Sequence, residues 1–369
     1  MNKKVLFLSL LAIATLVGCN KKNDNGGEKP NYPQVNKSNK GTGALFDEYL
    51  GFNTKDAAVI EEGDTRYIVY ASNEDYKGSP VFAARKATKV DGVWSYGEKK
   101  IILKGSDSWD LNILNPSMIK GSFAYNGTSY SYLMAYNGNN NNTNTNNHIG
   151  LAVTNDILGE WTRVGTTPIL SNPEAQEAAY GFGSPSLVSY DLQGKGYLFY
   201  SVGEINVSFE AVKTFDFSNL NNIKIETGYA SLPVTGLKDN QDVNVIVNAG
   251  FALSADKQTV YMVKDRLPQS SNTPNQSVAV EVSKAPISIL QSHNVSWESI
   301  KIISGFDTMD PSDEESLGWD EIYSGEFVSN PYGYIESSSL EVIYSTYDEE
   351  SEEVNYSSTL ASFTVTENA

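Results

Sequence analysis

The chain has 369 residues, with 45 acidic against 27 basic side chains, a formal charge of −18 and a pI near 4.5. That excess of negative charge repels phosphate backbones and anionic headgroups, which excludes nucleic acid as a partner and leaves any membrane contact to acyl chains. A single cysteine and two distant histidines exclude an intrachain disulfide and a zinc site of ordinary spacing; with no phosphate-cradling glycine loop, no cofactor or metal is expected.

At the N-terminus, Lys3 and Lys4 precede an apolar run over residues 5–17 that closes on Leu16, Val17, Gly18 and Cys19. The pattern is that of a signal peptide rather than a spanning helix. A small residue before a cysteine resembles the bacterial lipobox, in which the thiol receives diacylglycerol and becomes the new N-terminus after cleavage. Residues 1–18 are thus expected to be a lipoprotein signal peptide, with Cys19 the lipidation site and the cell envelope, at the outer membrane or cell surface, the location. Residues 19–40 are rich in Asn, Lys, Gly and Pro and read as a flexible tether, too poor in apolar side chains to offset ordering entropy. Residues 41–369 remain as the folded domain, about 325 residues, which suits a repeat architecture better than a single core.

Along that domain one phrase recurs: a small polar residue, two or three apolar positions, a turn, then an aromatic-rich strand. It reads "DAAVIEEGDTRYIVYA" from Asp56, "NPSMIKGSFAYNGTSYSYLMAY" from Asn115 and "SPSLVSYDLQGKGYLFYS" from Ser184. The fourth copy, "NAGFALSADKQTVYMVKDR", starts near Asn248, and the fifth, "SGEFVSNPYGYIESSSLEVIYSTY", near Gly325 and Glu326. "SADKQ" and "LQGKG" are hairpin turns joining a first strand to a second. Third strands follow at "PVFAARKA", "HIGLAVT" and "QSVAVEVS", and fourth strands at "KKIIL", "TPIL" and "SIKIIS". No segment carries apolar residues at helical spacing. The expected fold is all-β: a five-bladed β-propeller with four antiparallel strands per blade.

The set "DAAVI", "NPSMI" and "SPSLV", together with "IGLAVTNDILGEWTRVGTTPIL", resembles the five-bladed propellers of glycoside hydrolase family 43 and related families over about residues 42–366. The resemblance implies three carboxylates: a base Asp leading the first blade, an Asp tuning the acid at the head of the second, and a Glu acid near the start of the third. An inverting hydrolase needs one carboxyl protonated, the other ionised, and room between them for a water. Asp56 stands at the base position. The second leader is Asn115 rather than Asp, and Pro185 is preceded by Gly-Phe-Gly-Ser with no Glu. The loop acids Asp107 and Asp110 before Asn115, and Glu174 and Glu177 before Ser184, are the available substitutes. Asp56, Glu177 and Asp110 are therefore the catalytic candidates.

The leaders Asp56, Asn115, Ser184, Asn248 and Glu326 are expected to ring the channel mouth, either facing a ligand or simply capping turns at the head of each inner strand. On the same face the sequence places Trp109, Tyr180, Phe182, Trp319 and Tyr323, with rings suited to stacking on sugars or to packing between blades, and the Lys264, Asp265 and Arg266 of "KDR". Trp109, Tyr180, Phe182, Arg266 and Trp319, with Asn115, Ser184, Asn248 and Glu326, are the substrate-binding candidates. The Asn-rich stretch at residues 137–148 reads as a disordered low-complexity loop. The acidic run "DPSDEESLGWDE" from Asp310 lacks the turn spacing of a calcium loop. Two functional classes fit: a lipid-anchored glycoside hydrolase, or a lipid-anchored glycan-binding propeller without the acid. The expected partners are a carbohydrate ligand and the membrane through Cys19, with the protein a monomer; a protein-interaction propeller is a third class.

Overall fold

A computed structural model of the protein describes residues 44–45, 54–74, 78–106, 108–141, 145–173, 177–204, 208–226, 230–238, 246, 248–266, 277, 279–304, 315–316, 321–348 and 357–366. Five antiparallel sheets follow one another along the chain as the blades of a propeller. Blade 1 pairs Lys55–Glu62, Thr65–Asn73 and Pro80–Val90, and both Val93–Tyr96 and Lys100–Lys104 close on its third strand. Blade 2 runs Asn112–Tyr125, Thr128–Asn139, His148–Thr154 and Thr162–Arg163. Blade 3 runs Gly181–Ser189, Lys195–Gly203 and Ser208–Asp216, with Lys224–Ile225 and Ala230–Ser231 on its outer edge. Blade 4 runs Gly250–Ser254, Thr259–Arg266, Ala279–Pro286 and Glu298–Ser304. Among the described residues the helical content is one 3-10 turn, Ile287–Leu290, and no helix is long and apolar enough to cross a membrane.

Two details depart from the sequence reading. In blade 2 the outer strand is Thr162–Arg163, and "TPIL" contributes only a single bridge, Leu170 to Ile149. Blade 5 takes three strands from the C-terminal part, Glu321–Phe327, Ser339–Asp348 and Ser357–Thr366, and its fourth position is filled from the other end of the chain. Ala44 pairs antiparallel with Ala361, and the Leu45 N–H donates to the Leu360 carbonyl at 3.0 Å. The ring is thus closed by a clasp between the two ends of the domain.

Each inner strand lies between two neighbours, so its alternating side chains are buried on both faces. Ala57 and Val59 face blade 5, while Ala58 and Ile60 face blade 2. This is why the inner strands read as short apolar runs instead of alternating with polar residues. The buried apolar residues form five large clusters, one per interblade seam. Four seams hold 15 or 16 buried residues among those described, whereas the closing seam between blades 5 and 1 holds seven.

Polar ties reinforce that thin seam. The guanidinium of Arg66, 1 % exposed, donates to Glu341 through Nη1 at 2.8 Å and Nη2 at 2.6 Å, and to Glu61 through Nη2 at 2.6 Å and Nε at 3.0 Å. Its far face lies 4.4 Å from the ring centre of Trp94. Arg66 and Glu61 belong to blade 1 and Glu341 to blade 5, so this cluster spans the join.

The far end of the channel is closed by the loop after the inner strand of blade 5. Its carbonyls at Ser329, Pro331, Tyr332 and Gly333 accept the N–H groups of Glu61, Lys120, Ser189 and Leu253, at 2.8, 2.7, 3.0 and 3.0 Å. One loop therefore touches the inner strand of each other blade. Asn330 shapes it: its Oδ1 accepts from the N–H groups of Tyr332 and Tyr334 at 2.9 and 3.1 Å. Gly333 supplies the left-handed turn, with φ of +84°.

Candidate functional site

At the other end of the channel the recurring phrase has one backbone signature. Asp56, Asn115, Ser184, Asn248 and Ser324 all have φ between 46° and 54°, in the left-handed region. In four blades the ladder slips a register at this residue, the mark of a β-bulge. Asp and Asn tolerate this conformation better than most side chains because they bond locally. The next position falls outside the ladder pairing at Pro116, Pro185, Ala249 and Gly325, which is why proline is accepted there, while Ala57 of blade 1 pairs with Tyr70. The fifth leader is therefore Ser324. Glu326, placed in the leader ring by the sequence reading, occupies the position two residues further in, equivalent to Ala58, Ser117, Ser186 and Gly250.

The five leaders and their followers line a single small cavity of about 20 Å³ on the axis. That is room for about one water. The leaders touch one another across it. The Ser184 hydroxyl donates to Asn248 Oδ1 at 2.8 Å, and Asn248 Nδ2 donates to Asp265 Oδ2 at 2.9 Å. Asp265 Oδ1 accepts the Ser324 N–H at 2.7 Å, Asn115 Nδ2 lies 3.5 Å from the Ser324 hydroxyl, and the Asp56 N–H donates to the Ser345 hydroxyl at 2.9 Å. A sugar ring cannot enter the axis past these contacts, so a ligand must rest on top of the ring.

Three carboxyls with raised pKa values belong to this region, Asp265 and Glu210 buried and Glu326 half-buried. Burial pushes Asp265 up to about 7 even though the Asn248 and Ser324 bonds pull it down. The Glu326 carboxyl, on the cavity wall against Gly250, is pushed by its surroundings up to about 8. Glu210, at the head of the third strand of blade 3, is 1 % exposed and held well above the usual carboxylate range by desolvation. Asp265 was placed on this face from sequence within "KDR" but without a role, and Glu210 was not named at all. Their one signal was a charge set among apolar neighbours, "SFEAV" and "YMVKDR".

Tyr180 sits at the head of blade 3, against the leader Ser184. Burial pushes its hydroxyl up to about 12; the group pairs with Ser184 and feels Asp56, Glu210 and Asp265. It also stands over Gly183, where a Cβ would come within 2.2 Å of the Tyr180 oxygen. Gly183 directly precedes Ser184-Pro185, the place where the sequence resemblance implies a Glu acid. No side chain fits there unless Tyr180 moves.

The loop carrying Tyr180 is fixed by asparagines. Asn147 Nδ2 donates to the Tyr180 carbonyl at 2.8 Å, and Asn139 Nδ2 donates to Asn147 Oδ1 at 2.7 Å. Asn112 Nδ2 extends the chain to Asn139 Oδ1 at 3.0 Å. Asn137, Asn139 and Asn147 are all buried. This corrects the expectation of a disordered Asn-rich loop over residues 137–148: of these, 142–144 lie outside the described residues, and the amides around them serve as paired donors and acceptors.

The remaining candidates are dispersed. Asp110 is fully buried between blades 1 and 2, accepting from Tyr136 at 2.9 Å, from Arg163 Nε at 2.7 Å and from Ser106. Trp109 stacks on Tyr136 at 5.8 Å and lies over Gly138 and Gly150, where a Cβ would collide with its ring. Phe182 packs edge-on against Tyr200 at 5.7 Å. Glu177 is exposed on the loop before Tyr180, Arg266 is buried at the end of its strand, and Tyr323 is partly exposed beside Ser324. Cys19, Asp107, Glu174 and Trp319 lie outside the described residues, as does most of the acidic run from Asp310.

No protein-family model matches the chain, and no curated protein matches it. Solved structures share its fold. An α-L-arabinofuranosidase from Podospora anserina in complex with cellotriose superposes with a TM-score of 0.52 at 14 % identity, covering 91 % of this chain and 95 % of that one. A family 62 hydrolase in complex with xylotriose gives 0.53 at 9 % identity, covering 90 % and 97 %. A family 117 glycoside hydrolase from the marine bacterium Zobellia galactanivorans gives 0.55 at 11 % identity, covering 88 % and 89 %.

Proposed function

We propose that the protein is a lipid-anchored, carbohydrate-active propeller that binds a poly- or oligosaccharide on the face of the leader ring, around Tyr180. The observation that carries this reading is Tyr180, held over Gly183 and against Ser184 at a ring of leaders, Asp56 among them, too narrow to admit a sugar. Hydroxyl and carboxyl groups beside an aromatic ring suit the mixed polar and apolar surface of a sugar. The fold shared with glycoside hydrolases supports the same direction. Binding without hydrolysis fits best, because the place of the implied acid is closed by Tyr180 over Gly183 and the second leader is Asn115. Hydrolysis is the second reading, favoured by Glu210: a carboxyl kept protonated by burial is what a general acid requires, with Asp56 as base.

A soluble form lacking residues 1–19, titrated calorimetrically with xylotriose, cellotriose and arabinose-branched xylo-oligosaccharides, tests this. Saturable binding of one of them is expected, weakened at least tenfold by Tyr180→Ala, with no product release. Product release that disappears in Asp56→Asn would select hydrolysis, and binding of none would overturn the reading. For the anchor, the full chain is expected to enter the detergent phase of a Triton X-114 partition and Cys19→Ser to stay in the aqueous phase. Equal partition of the two would remove the lipid from the proposal.

A further inference from the structure

Beside the ring, a cavity of about 380 Å³ opens between the third strand of blade 3 and the segment leading into blade 4. That volume falls at the lower end of the range for small-ligand sites, roughly 300–1,000 Å³. One wall carries Glu210, and the facing wall carries Leu232, Pro233, Val234 and Ile246. The Leu232 N–H donates to the Glu210 carbonyl at 2.8 Å, which holds the two walls together at one end.

The Glu210 carboxyl is only half used. Its Oε2 accepts the Ser201 hydroxyl at 2.9 Å, and its Oε1, buried in a residue 1 % exposed, has no hydrogen-bond partner among the described residues. An unmet polar atom of this kind costs on the order of 1–3 kcal/mol, so the fold gains if a ligand group meets it. A neutral carboxyl offers one donor and one acceptor, which matches a sugar hydroxyl, itself both donor and acceptor. The rest of the lining is mixed: Leu232, Pro233, Val234 and Ile246 offer apolar surface to the C–H face of a sugar, and Ser231, Thr235 and His293 offer polar groups to its hydroxyls. A cation fits less well: Glu210 is the only carboxyl among the described lining residues, and it would have to ionise in a buried position.

We propose that this cavity is a second subsite that holds one sugar unit of the bound glycan, with a hydroxyl of that unit bonded to Glu210 Oε1. The inference rests on the reading of the ring face as a glycan site and extends that site outward toward blade 4. In the blade 3 ladder Ser201 pairs with Gly183, which lies under Tyr180, on one side and with Glu210 on the other, so the two subsites lie two strands apart and one oligosaccharide spans both.

Two variants test it with the same three oligosaccharides. Glu210→Gln keeps the shape and changes the hydrogen-bonding set, and Val234→Phe fills the cavity from the facing wall while leaving Glu210 in place. Both are expected to weaken binding about tenfold or more, with the thermal midpoint of Val234→Phe near that of the parent. If both bind as the parent does while Tyr180→Ala loses binding, the ring site stands and the cavity is not a subsite. If the parent binds none of the three, the ring-face reading falls and this inference with it.

Discussion

Arg66→Ala is expected to lower the unfolding free energy by about 3 kcal/mol or more, measured by urea denaturation at neutral pH. The guanidinium is buried, while each of its carboxylate partners remains about 30 % exposed. Its removal leaves Glu61 and Glu341 facing each other across the seam without a cation and strips the cover from Trp94. The seam has little to fall back on, with seven buried apolar residues where the others have twice that number. Arg66→Lys should recover only part of the loss, because an ammonium cannot make the two-pronged bond to Glu341. A loss below 0.5 kcal/mol, within the range of an ordinary surface substitution, would show that the clasp and the apolar contacts close the ring unaided.

The second large effect is on pH. Asp265 titrates at about 7 and Glu326 at about 8 in the folded protein, against ordinary values near 3.9 and 4.3. Between those values the folded chain holds protons that the unfolded chain has already released. Stability is therefore greatest below about pH 4 as far as these groups are concerned, and falls as pH rises towards 7 for Asp265 and 8 for Glu326. For Asp265 alone the difference is on the order of 4 kcal/mol. Mutual repulsion within a chain of charge −18 acts in the same direction. Asp265→Asn and Glu326→Gln separate the two contributions. The parent should lose several kcal/mol between pH 5 and pH 8 in urea titrations, and the double variant should lose much less. Equal slopes in both would assign the whole dependence to general repulsion.

The fold was legible because every blade starts its inner strand with a left-handed residue, joined in four of them by a bulge. That device requires a small polar residue followed by one that needs no ladder bond, and the phrase survives in sequence for that reason. The fifth copy was misplaced by two residues because Gly325 stands where Pro or Ala follows the other leaders, and the nearby Glu326 was the more conspicuous polar residue. The clasp at Ala44 was not legible at all: its described pairing involves two residues, too few to carry a period. Glu210 was invisible for a different reason. Its neighbours mark an ordinary buried strand, and only the third dimension turns its unpaired oxygen into a wall of a cavity. The buried asparagines were misread because composition alone does not distinguish amides that solvate a loop from amides that satisfy one another.

The clasp also gives the domain a direction. Ala44 and Leu45 run antiparallel to a strand that descends from the ring towards the closed end of the channel, so at its first described residues the chain is heading from that closed end towards the ring. A load on the N-terminal segment enters the fold at this clasp. A pull on that segment is borne by the edge strand of blade 5, at the thinnest seam of the ring, so attachment and ring closure share one mechanical weak point.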